Sequence, residues 1–156
     1  MDTIQDIAFE MIMRMTVHKV VSINRLIKCI YLDDWGATLN QSNKISGLNW
    51  YNGLCGPCDR NIVIAIQDSK ALFDVQRRLN DEDTLNVAIK DCTYSPSISE
   101  KVRLSIAHIE KVANRLPWDR LSLLVASTYP MLVSQVGDEL DLIKYASEYK
   151  KIIAAK

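Results

Sequence analysis

The sequence predicts an α+β fold, mostly α, with five or six helices, a β-hairpin and a short extended segment in one domain over residues 1–156. Three observations predict it. Apolar residues recur at helical spacing near the N-terminus and again over the last third of the chain. Between Ala71 and Ile89 the apolar period falls to two. Capping and breaking residues stand at the ends of these runs, and a length of 156 residues suits one domain of about 100–200.

Taken in order, Thr3 caps a first helix whose stripe is Ile4, Ile7, Ala8, Met11, Ile12 and Met15. A second helix follows Ser22 and puts Ile23, Leu26, Ile27, Ile30, Tyr31 and Asp34 on one face. Gly36, or the polar run after Leu39, is expected to end it. An extended segment covers 44–51, a turn covers 53–57, and Asp59 caps a third helix through Ile62, Val63 and Ile66. Ala71, Phe73, Val75 and Leu79 then alternate with Asp74, Gln76 and Arg78. Leu85, Val87 and Ile89 alternate again after Asn80, Asp81, Glu82 and Asp83. That pattern is a hairpin with one apolar face and a charged four-residue connection.

The last third reads as helical. Ser97-Ile98-Ser99-Glu100 has the form of a capping box, in which Ser and Glu satisfy backbone donors reciprocally. Val102, Ile106, Ile109, Ala113 and Leu116 follow on one face, and Pro117 breaks the helix. Another helix is expected over 118–128, stopping near Tyr129-Pro130. Gly137-Asp138 opens a terminal helix whose candidate contacts are Leu140, Ile143, Tyr145, Tyr149 and Ile152.

Composition narrows the function classes. With 48% hydrophobic and 24% charged residues, the chain has enough apolar surface to fold. Nineteen Lys and Arg balance nineteen Asp and Glu, which removes the overall electrostatic drive toward nucleic acid or an anionic membrane. No window reaches the ~18 apolar residues of a membrane span. The opening Met1-Asp2-Thr3 has no basic leader, so no secretory signal is expected and the cytoplasm is the expected address. Cysteines at 29, 55, 58 and 92 are then expected as thiols.

Cys55-Gly56-Pro57-Cys58 invites a redox or metal reading. A thioredoxin-like pair needs a helix N-terminus in a βαβ unit, and no parallel strand order is visible. Structural zinc needs four ligands, whereas Cys29 and Cys92 stand alone and His18 and His108 lack ligand spacing. No cofactor or metal is expected. Cys58, His108 and Asp119 carry no local signature of a nucleophilic site. His108 is expected to pack beside the helical stripe, and His18 lies in a connection. A helix-turn-helix reading of 97–129 would offer DNA only Arg120, with Leu121, Leu123, Leu124 and Val125 read as buried.

The most specific residues lie between Leu26 and Ala65. They run Leu26-Ile27-Lys28-Cys29-Ile30-Tyr31-Leu32-Asp33-Asp34-Trp35, then Ile45-Ser46-Gly47-Leu48-Asn49-Trp50, then Gly56-Pro57. This resembles the Panacea-domain family, the phage-associated GepA-like and SocA-like group. Lys28, Tyr31, Asp34, Gly47, Trp50, Gly56 and Pro57 carry the match. The chain departs from the family near its C-terminal part, with Thr128-Tyr129-Pro130-Met131, and in the cysteines that flank Gly-Pro. The resemblance implies a non-enzymatic antitoxin that neutralises a protein toxin by direct contact. In the SocA-like branch it implies an adaptor that delivers a toxin to an ATP-dependent protease. A third reading, from a different class, is a small thiol-dependent enzyme using Cys55 or Cys58.

Physically, Lys28, Tyr31 and Asp34 at i, i+3 and i+6 share one helical side. Tyr31 is expected to direct its hydroxyl to Asp34 or a backbone group. Gly47 is expected to serve a close approach or a positive φ, and Gly56-Pro57 to fix a turn. One reading makes this group a staple that holds the extended segment on the second helix, since buried polar groups need partners. The other makes Asp34, Trp35 and Trp50 a partner-binding patch, because Trp35 falls off the apolar stripe and aromatics anchor interfaces.

Overall fold

The computed structural model describes residues 2–15, 20–78 and 81–156. The chain runs α1 (Ile4–Met15), β1 (Val20–Ser22), α2 (Ile23–Gln41), β2 (Tyr51–Gly53), β3 (Gly56–Cys58), α3 (Arg60–Asp68), β4 (Phe73–Arg78) and β5 (Asp81–Ile89). It continues through α4 (Glu100–Ala113), α5 (Trp118–Ala126), α6 (Tyr129–Val133) and α7 (Leu142–Ala154). The mostly α, α+β class read from the sequence is the observed one. His18, Leu79 and Asn80 lie outside the described residues, as do the side chains at 78 and 81–84.

Helix α2 is the axis. It packs against α1, α4, α5 and α7 and against β3 and β5, so it is enclosed on several sides. Ser22 caps it by accepting from Arg25 N–H at 3.2 Å. Gly36 does not end it: the helix continues to Gln41 because Trp35, Ala37 and Thr38 are buried there. That burial outweighs the ~1 kcal/mol a helical glycine costs. Ser42 ends it in the left-handed region at φ 61°, donating its N–H to Thr38 O.

The predicted hairpin is β4–β5, with Phe73 opposite Ile89 and Val75 opposite Val87. β5 starts at Asp81, so the acidic residues 81–83 belong to the strand and not to the connection. A third strand, β1, adds to β5 with Val21 opposite Val87. Val21, Phe73 and Val87 turn inward to the core.

Three boundaries depart from the expectation, two of them because a tertiary partner intervenes. Ser99, not Ser97, caps α4, accepting from Val102 N–H at 3.3 Å. The Ser99 N–H, which a capping-box glutamate would take, goes instead to Asp2 Oδ1 at 2.6 Å. α5 ends at Ala126, just before Tyr129-Pro130 as expected, but that pair then starts a further helix, α6; proline is tolerated in a first turn, whose N–H groups have no intrahelical acceptor. After a turn at Val136-Gly137, residues 138–140 run extended beside β2, with Leu140 N–H on Trp50 O at 2.8 Å and Gly137 N–H on Asn52 O at 2.7 Å. The terminal helix therefore begins at Leu142, capped by Asp141. Leu140 and Ala146 are buried, Tyr145 and Tyr149 pack on the core, and Ile143 and Ile152 are exposed.

A Ser99→Ala variant is expected to lose about 1 kcal/mol of stability in urea denaturation, while Ser97→Ala stays near neutral. Equal losses in the two variants would contradict the cap assigned to Ser99.

Candidate functional site

Residues 44–50 have no strand partner, yet Ser46, Leu48 and Trp50 turn inward in strict alternation. An extended segment without a ladder must find acceptors for its N–H groups elsewhere. Asp34 supplies them. Its Oδ1 accepts from Ile45 N–H at 2.9 Å and Ser46 N–H at 2.8 Å, and its Oδ2 from the Trp50 indole at 2.8 Å. The Ser46 hydroxyl also donates to Oδ2. Ser46 Oγ accepts from Leu48 N–H at 3.3 Å, which leaves its own proton for Asp34. Asp59 fixes the far end, accepting from Asn49 N–H at 2.7 Å while its other oxygen caps α3 through Asn61 N–H at 2.9 Å. Burial pushes the Asp34 carboxyl up from its ordinary range, and the donors from Ser46, Trp50 and Ile45 pull it back down. Three of the four donors are N–H groups that cannot accept a proton, so the site suits a carboxylate.

The other motif residues extend this staple. Lys28 Nζ donates to Cys55 O at 2.8 Å and lies 5.4 Å from the Trp118 ring centre. Gly56 sits at φ +115°, where a Cβ would stand 2.7 Å from Lys28 Nζ, so glycine is required twice over. Pro57 is buried and pairs with Asn52 across the β2–β3 turn. The Tyr31 ring meets Trp50 edge-on, with centres 5.4 Å apart.

Three expectations are corrected. The Tyr31 hydroxyl reaches Thr128 Oγ1 at 2.8 Å, not Asp34. Thr128 gives its own proton to Val125 O, so Tyr31 is the donor. Gly47 has neither a positive φ nor any atom within 4 Å of a built Cβ. Trp35 is 7% exposed and packs on Tyr149 at 6.1 Å, while Asp34 and Trp50 are fully buried. These three form no surface patch. A stripe drawn for one buried face does not describe a helix packed on several sides.

The surface feature lies next to the staple. A cleft of about 550 Å³ opens between the β2–β3 turn and α5, with Lys28 and Cys55 in its lining. Trp118, Ser122, Val125 and Ala126, spaced as one helical face, form its other wall, and Met131 and Val136 complete it. Leu54 at the turn tip is 91% exposed, and Trp118 is 47% exposed. Leu123, read as buried, is also exposed. The sequence signal for this rim was an apolar residue inside a turn, Gly53-Leu54-Cys55-Gly56, and a tryptophan at the first position of a helix.

The remaining candidates do not assemble. Cys55, Cys58 and Cys92 are exposed free thiols and Cys29 is a buried one, pushed up to about 12 by burial. Burial, Asp59 and Cys55 raise the Cys58 thiol, opposite to what activates a nucleophile. His108 is exposed on α4, not packed, and makes no hydrogen bond to Cys58 among the described residues. No group of three or more His, Cys, Asp or Glu fit to hold a metal ion occurs among the described residues. Among the described residues no helix is long and apolar enough to cross a membrane. Arg120 and Asp119 are exposed in the first turns of α5.

Asp33, on the opposite side of α2, was not singled out from the sequence. It is buried against α4, where the Ser105 hydroxyl donates to Oδ1. Its Oδ2 has no hydrogen-bond partner among the described residues. Burial pushes this carboxyl up to about 7, against the Ser105 hydrogen bond and with help from the neighbouring Asp34.

Comparison of the chain with protein-family models, curated proteins and solved structures found no match.

Two stability measurements follow from these carboxylates. Asp34→Asn places an amide NH₂ against N–H donors and is expected to cost roughly 3–5 kcal/mol in chemical denaturation. A loss below about 1 kcal/mol would show that the four hydrogen bonds do not organise the loop. Asp33 holds its proton more tightly folded, at about 7 against an ordinary 3.8. Its contribution is therefore complete below the unfolded value and is lost as pH rises through the folded one. Between pH 4 and 8 the wild-type chain is expected to lose up to about 4 kcal/mol relative to Asp33→Asn. Parallel stability curves for the two proteins would contradict this.

Proposed function

We propose that this chain is a non-enzymatic, antitoxin-like protein that acts in the cytoplasm by binding a cognate protein toxin directly and covering its functional surface. The observation that carries the reading is the apolar rim of the cleft, where Leu54, Trp118 and Val136 stand exposed on anchored backbone. Exposed large apolar side chains grouped around a concavity are what protein interfaces use as anchors. The Leu54 turn is held from beneath by Lys28, and Asn52 Nδ2 donates to Ser134 Oγ at 2.8 Å. A rim fixed in this way loses little conformational entropy on binding. The resemblance to Panacea-domain proteins supports the same reading, because six of its seven motif residues build the frame beneath this rim. Delivery of the toxin to an ATP-dependent protease is the other interaction reading.

The test uses the purified product of a neighbouring gene whose expression alone is toxic. Wild-type protein is expected to inhibit it with no protease present. Leu54→Asp, with unchanged melting temperature, is expected to bind at least about tenfold more weakly. Inhibition that appears only with a protease would favour the adaptor. Full affinity in both Leu54→Asp and Trp118→Ala would remove the rim as the contact surface.

A further inference from the structure

We propose that the cleft binds a small organic carboxylate, its charge on Lys28 Nζ and its apolar body against Trp118. The case starts from Lys28, which is 5% exposed and yet lines the cleft. Its ammonium has three N–H donors. One goes to Cys55 O at 2.8 Å, and the Trp118 ring lies 5.4 Å away. No carboxylate of the described residues comes within 4.0 Å of it. A carbonyl and a ring face attract an ammonium, but neither neutralises it. Buried lysine is rare unless paired with an opposite charge. Burial holds the Lys28 ammonium below its ordinary range, and an anion bound from the open cleft would supply the missing charge.

The rest of the cleft sets the class of anion. Its volume of about 550 Å³ falls in the range of small-molecule sites. A lone lysine balances one negative charge; a phosphate monoester, at about −1.5 to −2, would leave part of its charge uncompensated. Ser122 adds a hydroxyl to the same lining, and Val125, Met131 and Val136 make the remaining wall apolar. A monoanion with an apolar or aromatic body matches this distribution. Gly56 keeps the ammonium in place: its missing side chain leaves the space in which Nζ sits against the turn. The assignment stands without the toxin reading: it shares Trp118 and Val136 with the exposed rim, but the charge it turns on is that of Lys28.

The unaltered protein decides the matter. It is titrated with 3-phenylpropionate and with the uncharged 3-phenylpropionamide, following the Trp118 indole and Gly56 amide signals by NMR. The acid is expected to give saturable shifts and to bind at least about tenfold tighter than the amide. Lys28→Met, shown by its thermal melt to be folded, is expected to lose that preference. Equal affinity for acid and amide, or no saturation by about 10 mM acid, would overturn the proposal. The capped dipeptide acetyl-Leu-Glu-amide is the third probe. If it binds tighter than 3-phenylpropionate, the carboxylate is a protein side chain and the small-molecule assignment fails, whatever the outcome with the toxin.

Discussion

The Asp34 carboxylate is the main anchor of a stretch of chain that no strand ladder holds, with Asp59 fixing its far end. Residues 44–50 cross the end of α2 without a sheet partner, and the N–H groups of Ile45 and Ser46 both end on Asp34 Oδ1. Taking a carboxylate out of water costs several kcal/mol, and only a full set of donors offsets that. Four donors converge here, and Trp50 is among them. Once Trp50 is fixed, its carbonyl accepts Leu140 N–H and its ring meets Tyr31. The β2–β3 turn, the extended 138–140 segment and the start of α7 all follow from that placement. Removing the carboxylate therefore loosens more than one loop.

The same logic runs along α2. Arg25 donates to Ala113 O, which also accepts Leu116 N–H, and to Leu116 O just beyond the end of α4. Lys28 holds the β2–β3 turn, Tyr31 the end of α5, Asp33 the side of α4, and Asp34 the 44–50 segment. Five polar side chains on one helix thus reach different parts of the fold. An apolar helix of the same volume could slide or rotate within its bundle at small cost. Here a shift of one residue would strand all five groups without partners, which is expensive in a buried setting. Buried polar residues on α2 specify its register as well as adding hydrogen bonds.

How much of this the sequence disclosed depends on range. Thr3, Ser22 and Asp59 cap the helices they precede, because capping is decided within three residues. The β4–β5 hairpin was readable from its alternation. β1 was not, since Val20–Ser22 is too short to show a period. The capping-box pattern pointed to Ser97; Asp2, almost a hundred residues away, binds Ser99, which is the cap. The staple reading of Lys28, Tyr31 and Asp34 holds, because an acid inside an apolar helix must find donors nearby. Trp35 misled for a related reason: its place off the stripe suggested exposure, whereas α7 covers that side of α2. The cleft was out of reach, as its walls come from the β2–β3 turn, α5 and the chain after α6.

Frame and cleft meet in Lys28, and this separates two kinds of residue around the site. Gly56 and Pro57 are half-buried and buried and shape the turn, whereas Lys28 both holds that turn and lines the cleft. Leu54 and Val136 are exposed and touch little of the frame, so their substitution reports on binding alone. Trp118 stands between, half-exposed and over the Lys28 ammonium. The motif residues are thus mostly the frame, and the exposed apolar side chains of Leu54 and Val136 stand beside them. The frame is held by buried hydrogen bonds that its own residues satisfy, whereas the side chains of Leu54 and Val136 are left in solvent.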